Sequence, residues 1–147
     1  MQRFVAGTEY SIDLYVSREG RAKGAIARSR DVVVAGESQV TTTKSYPELE
    51  RLCMRLSEEL GLRGHAVFQA IVDDAGKIHV IECNPRFGGA STLAIAAGLE
   101  TFRWLLHEAS GASLDALPFM RSRVELRQVR FPSDRVFRAS GSDHHGL

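Results

Sequence analysis

Gln69, Glu82 and Asn84 are the residues whose types and spacing could do chemistry together. Around them, Val67, Gln69 and Ile71 alternate with Phe68, Ala70 and Val72, the period of a strand, and Lys77 to Cys83 alternates again. Asp73-Asp74-Ala75-Gly76 carries turn residues. A two-residue loop at Ala75-Gly76, or a four-residue loop closed by Asp73 and Ile78, puts Gln69 directly opposite Glu82. Side chains return to one face every second residue, so Asn84 continues the Glu82 face. One carboxylate and two amide oxygens suit a hard divalent cation such as magnesium, which takes few protein ligands and shares the rest with phosphates and water. Arg86, two residues on, supplies a fork for phosphate oxygens. On spacing alone the same residues also make an ordinary polar hairpin face followed by an Asn84-Pro85 turn.

These residues need a frame. Tyr10, Ile12, Leu14 and Val16 form one face of a first strand, with Glu9, Ser11 and Asp13 on the other, a half-buried pattern. Lys23 to Arg28 and Val32 to Ala35 read as two short strands, with Arg28-Ser29-Arg30-Asp31 as a charged connection. Ser45-x-x-Glu48 is a capping box with Pro47 in the first turn. It opens a helix over Tyr46 to Leu60 whose apolar stripe is Leu49, Leu52, Cys53, Leu56 and Leu60, with Gly61 as C-cap. His65 reads as a loop residue before the metal hairpin. Gly88-Gly89 leads into a helix over Ala90 to Ser110, broken near Gly98, and a helix N-terminus behind glycines can present N–H groups to an anion. In its second half Phe102, Leu105 and Leu106 are placed inward and Trp104 at the surface. Val124 to Phe131 reads as a last strand, and the tail is Gly, Ser, Asp and His.

At 147 residues, 44% apolar and 25% charged, the sequence has the composition of one globular domain with a core. The net charge of +1 gives no global field for nucleic acid or a membrane surface. No apolar run has the length of a membrane span, and Met1-Gln2-Arg3 leads into a strand-like segment without a signal-peptide pattern. Cys53 and Cys83 make no disulfide framework and read as reduced core residues of a cytoplasmic protein.

The run IECNPRFGG (Ile81–Gly89) closely resembles the metal-binding signature of the ATP-grasp superfamily, in its carbamoyl-phosphate-synthase-like branch. The resemblance implies that Gln69, Glu82 and Asn84 hold the magnesium (or manganese) of ATP and that Arg86 contacts the transferred phosphate. It also gives the opening segment the part of the adenine hinge: Gln2, in place of the usual Glu, Phe4 and Val5 toward the base, and Glu9 on the ribose. Gly36-Glu37-Ser38 resembles a loop near the phosphates, which Arg28 and Arg30 could face.

The implied fold is α/β (α+β), the ATP-grasp C-terminal lobe, an antiparallel sheet with helices packed on one face. It would occupy residues 1–117, and residues 118–147 would be a terminal strand and flexible polar tail. Family enzymes phosphorylate a carboxylate with ATP, and the acylphosphate is then attacked by an amine, ammonia or a thiol. On this reading the partners are ATP, a small carboxylate, and a separate N-terminal lobe or a second copy that completes the clamp. The other reading is a non-catalytic nucleotide- or partner-binding module.

Overall fold

Residue alternation in the first strand sets the architecture, because both of its faces are covered. A computed structural model describes residues 4–131. Within them the chain forms β1 (Thr8–Val16), β2 (Ala22–Val34), β3 (Glu37–Lys44), α1 (Pro47–Glu59), β4 (Gly64–Val72), β5 (Ile78–Asn84), α2 (Ser91–Ala96), α3 (Thr101–Ala109) and β6 (Arg127–Val129). The strands make one antiparallel sheet in the order β5-β4-β1-β2-β3-β6.

Ile12, Leu14 and Val16 of β1 pack with Ala25, Ala27, Ala66, Phe68 and Ala70 under Leu49 and Cys53 of α1. Burial pushes the Cys53 thiol up to about 12, so it stays protonated and inert at neutral pH. On the opposite face Tyr15 and Ile26 pack against Ala94, Ala97, Leu99, Trp104 and Leu114. The sheet is antiparallel as expected, but helices cover both of its faces rather than one. Ser11 and Asp13, which lie opposite the apolar side of β1, are buried too.

Several local expectations change in the structure. Arg28 to Asp31 is not a connection: β2 runs unbroken, with Arg28 opposite Thr43 and Arg30 opposite Thr41, and a register shift next to Arg30 takes up the irregularity. The reversal comes at Ala35-Gly36, both with positive φ (50° and 80°), the conformation that a tight two-residue hairpin turn demands. Helix α1 starts at Pro47 after Tyr46, and no side chain caps it, so the capping box does not form. Gly61, with φ of 66°, does end the helix in the left-handed region.

Helix α3 is rotated relative to the expectation. Trp104 is fully buried, against Tyr15 and Phe119, whereas Phe102, Leu105 and Leu106 are exposed. The helix is fixed by its polar inward residue: Glu108 accepts the Tyr15 hydroxyl and the Arg18 N–H, each at 2.7 Å. Beyond α3 the chain returns across the sheet. Phe119 and Leu126 join the second apolar cluster, and Arg121 reaches Glu50 and the Lys44 carbonyl, both at 2.6 Å. The last strand, β6, is three residues long. Among the described residues no helix is long and apolar enough to cross a membrane.

Candidate functional site

The β4–β5 hairpin brings Gln69 opposite Glu82, by a route that differs from the expected one. Val72 faces Ile78 and Ile71 faces His79, one residue away from either expected loop. The Asp73 carboxylate shapes that longer turn, accepting the N–H groups of Ala75 (3.0 Å) and Lys77 (2.9 Å) and contacting His79 Nε2 at 2.8 Å. A register shift between Gln69 and Ala70 then restores the pairing, and Gln69, Phe68 and Val67 face Glu82, Cys83 and Asn84. Asn84 Nδ2 donates to Glu82 Oε1 at 2.8 Å, so the two side chains lie together.

Gln69, Glu82, Asn84, Arg86, Arg28 and Arg30 all line one cleft of about 300 Å³ on this face of the sheet. Gly36 to Ser38 of the β2–β3 turn border it, as do Gly88 and Gly89. The three arginines are held differently. Arg30 is occupied: its Nε donates to Ser38 Oγ (3.0 Å), its Nη2 to the Gly36 carbonyl (2.6 Å), and its Nη1 to Gln69 Oε1 (3.4 Å) and to Glu9. Arg28 is buried, and its Nε donates to Asp13 at 2.7 Å; among the described residues its terminal nitrogens have no partner. Arg86 is exposed, and among the described residues it donates only to the Phe87 carbonyl. Of these three, Arg28 and Arg86 keep guanidinium donors for an anion among the described residues.

Glu9 is held by Arg30 and does not line the cleft. Phe4 and Val5 lie apart from it, bordering a separate hollow with Asp73, Lys77 and His79, and Phe4 is exposed. Gln2 lies outside the described residues.

Below the cleft sits a buried polar cluster that the sequence reading missed. Asp13 receives Arg28, the Ser91 hydroxyl and His65 Nε2 (3.2 Å), and Ser91 Oγ accepts the Gly88 N–H at 2.8 Å. Burial alone would raise the Asp13 carboxyl, but the Arg28 guanidinium and the bonds from His65 and Ser91 outweigh it and hold the carboxyl below its usual value. His65 is not in a loop: it is a buried β4 residue stacked on Phe87, ring centroids 4.1 Å apart. The available signal was the run of polar residues Ser11, Asp13 and His65 on strands whose other face is apolar. Arg130, just past β6, also lines the cleft and was missed; it pairs with Glu37 at 2.9 Å.

One carboxylate with two side-chain amide oxygens beside partly free arginines is a donor set for a hard cation carrying phosphates. A family model described as "ATP-grasp in the biosynthetic pathway with Ter operon" matches residues 1–131. This chain belongs to that ATP-grasp family. Among curated proteins no sequence matches it. The ATP-grasp fold also appears in solved structures. The biotin carboxylase domain dimer of Hydrogenobacter thermophilus 2-oxoglutarate carboxylase, in complex with MgADP, ADP and bicarbonate, superimposes with a TM-score of 0.72 at 16% identity. Biotin carboxylase from Campylobacter jejuni, in a β,γ-ATP complex, gives 0.73 at 13%. Each match covers 88% of this ATP-grasp chain, which spans 31% of either structure. The multifunctional pyruvate carboxylase of Rhizobium etli gives 0.62 at 18%, over 72% of this chain and 11% of that one. At these identities the likeness establishes the fold.

Proposed function

We propose that this chain is the ATP- and magnesium-binding lobe of an ATP-grasp ligase that activates a carboxylate as an acylphosphate for attack by an amine, ammonia or a thiol. The observation that carries the reading is the register of β4 and β5, which puts Gln69, Glu82 and Asn84 on the same cleft wall as Arg28 and Arg86. The IECNPRFGG run supports the carbamoyl-phosphate-synthase-like branch. Magnesium would be held by Glu82 with the amide oxygens of Gln69 and Asn84, and it neutralises phosphate charge when bound. Arg86 would contact the transferred phosphoryl group and Arg28 the anion on the floor of the cleft. Both act by positioning and by neutralising charge that grows in the transition state.

Glu9 and the segment at Phe4-Val5 would take ribose and adenine. Arg30 holds Glu9 by one carboxylate oxygen, Oε1, and the other would accept a hydroxyl. Residues 118–131 would belong to the lobe, since they supply Arg130 to the cleft and β6 to the sheet. A second lobe, on another chain or segment, would close over the phosphates.

The test is titration calorimetry with magnesium and a non-hydrolysable ATP analogue. Glu82→Ala should lose far more affinity than Gln69→Ala or Asn84→Ala, because Glu82 is the only charged ligand of the three and divalent affinity follows ligand charge. Equal, negligible effects from all three would mean that this wall is merely polar surface.

A further inference from the structure

We propose that Asp13 is a positioning residue of the cleft: it aims the Arg28 guanidinium at the phosphate or carboxylate of a ligand and, through Ser91, sets the Gly88 turn beside it. The inference rests on the reading that this cleft takes an anionic nucleotide.

Asp13 is fully buried at the centre of the sheet, yet its two carboxylate oxygens reach three elements. Oδ2 accepts Arg28 Nε of β2 at 2.7 Å. Oδ1 accepts the Ser91 hydroxyl at the start of α2 and lies 3.2 Å from His65 Nε2 of β4. An arginine gripped at Nε cannot swing, and its two terminal nitrogens project beyond the grip. Arg28 lines the cleft, with Nη2 close to Gly88. The second arm runs from Asp13 through Ser91 Oγ to the Gly88 N–H at 2.8 Å. His65 adds a third: its ring stacks on Phe87, next to Arg86, and so braces the loop that carries both Arg86 and Gly88.

Stability is a poor reason for this cluster. A buried ion pair seldom outperforms well-packed apolar side chains of the same volume. The same face of β1 is packed apolar one step along, at Tyr15, against Ile26 and Trp104. What an apolar replacement could not do is hold a guanidinium and a backbone N–H at fixed places on one cleft wall.

The experiment uses the full chain with MgADP and magnesium tripolyphosphate as probes, followed by calorimetry and by the Arg28 Nε–H resonance in proton–nitrogen correlation spectra. Asp13→Asn keeps the shape and removes the charge. It should stay folded, lose the protected Arg28 Nε–H signal and bind both probes roughly tenfold more weakly, the loss of one charge-assisted contact. Combined with Arg28→Gln it should add no more than about a factor of two to the Arg28→Gln loss, since the two act as one unit. Ser91→Ala should keep the Arg28 signal and weaken binding by about threefold, a fraction of one hydrogen bond. A folded Asp13→Asn that binds like wild type, or that weakens binding equally with and without Arg28, would overturn the proposal. If Asp13→Asn does not fold, wild-type affinity in Ser91→Ala overturns it instead. A wild-type chain that binds neither probe overturns the nucleotide reading and this inference with it, whereas binding that ignores Asp13 removes this inference alone.

Discussion

The two faces of the sheet are built from the same strands, residue by residue in alternation, and they bury different things. Under α1 the face is mainly apolar, Ile12, Leu14 and Val16 with Ala25, Ala27, Ala66, Phe68 and Ala70, and its buried polar residues, Ser29, Thr42 and Glu50, are few. The other face is divided. One end is an apolar cluster around Tyr15, Ile26 and Trp104, and the other carries Ser11, Asp13, Arg28, Arg30, Gln69, Glu82 and Asn84. The apolar face supplies the burial that drives folding. The polar end carries a desolvation cost that apolar side chains of the same volume would not have. On the proposed function the contrast separates residues kept for the fold from residues kept for a ligand, and the following changes test that separation.

The largest effects should come from the apolar regions on either side. Leu14→Ala and Trp104→Ala each empty a fully buried site and should cost about 3–5 kcal/mol in denaturant unfolding, near the upper range for large-to-small core changes. A loss under about 1 kcal/mol at either site would mean that the layer there is loosely packed.

The polar end should reveal itself through pH. The Asp13 carboxyl is held below its ordinary value in the folded chain, so the stabilisation is present above the unfolded value of about 4 and is lost as pH falls from there toward the folded value. Unfolding free energy measured from neutral to acid pH should fall in that window, and less steeply in Asp13→Asn. Asp31 and Asp73 are also lowered and contribute to the slope that remains. Identical slopes in the two proteins would show that Asp13 does not titrate in this way.

A smaller change in stability should accompany the joint replacement Asp13→Leu with Arg28→Met. Swapping a whole buried ion pair for apolar side chains is often neutral or stabilising, so the melting temperature should hold or rise while MgADP binding falls. If the double variant unfolds, the polar end is needed for the fold and the division drawn above fails. The smallest effect belongs to Leu106→Ala. Leu106 is 70% exposed on α3, so its loss should change stability by no more than about 0.5 kcal/mol. A cost near that of Trp104→Ala would put α3 back in the register expected from its sequence.

Much of the frame was legible in the chain itself. Strand alternation, the turn residues at Asp73 to Gly76, the Leu49 stripe of α1 and Gly61 are local facts, because side-chain period and turn chemistry are properties of a few neighbouring residues, whereas Gln69 meets Glu82 through a bulge that the turn residues do not announce. The IECNPRFGG run that marks the family is local too. Tertiary structure decided the rest. Alternation shows that a strand has two faces but not that a second layer of helices covers the polar one. Ser11, Asp13 and His65 therefore read as surface or loop until α2 and Phe87 closed over them. Helix α3 has apolar residues on more than one side, and long-range contacts, the Tyr15–Glu108 bond across 93 residues and the packing of Trp104 on Tyr15 and Phe119, go with the side that carries Trp104. Arg28 and Arg30 read as a charged turn because their acidic partners, Asp13 and Glu9, stand 15 and 21 residues away. Local chemistry set which residues could form strands, helices and a wall of side-chain oxygens. Long-range burial and pairing chose which charges were taken inside and which arginines kept donors free for a ligand.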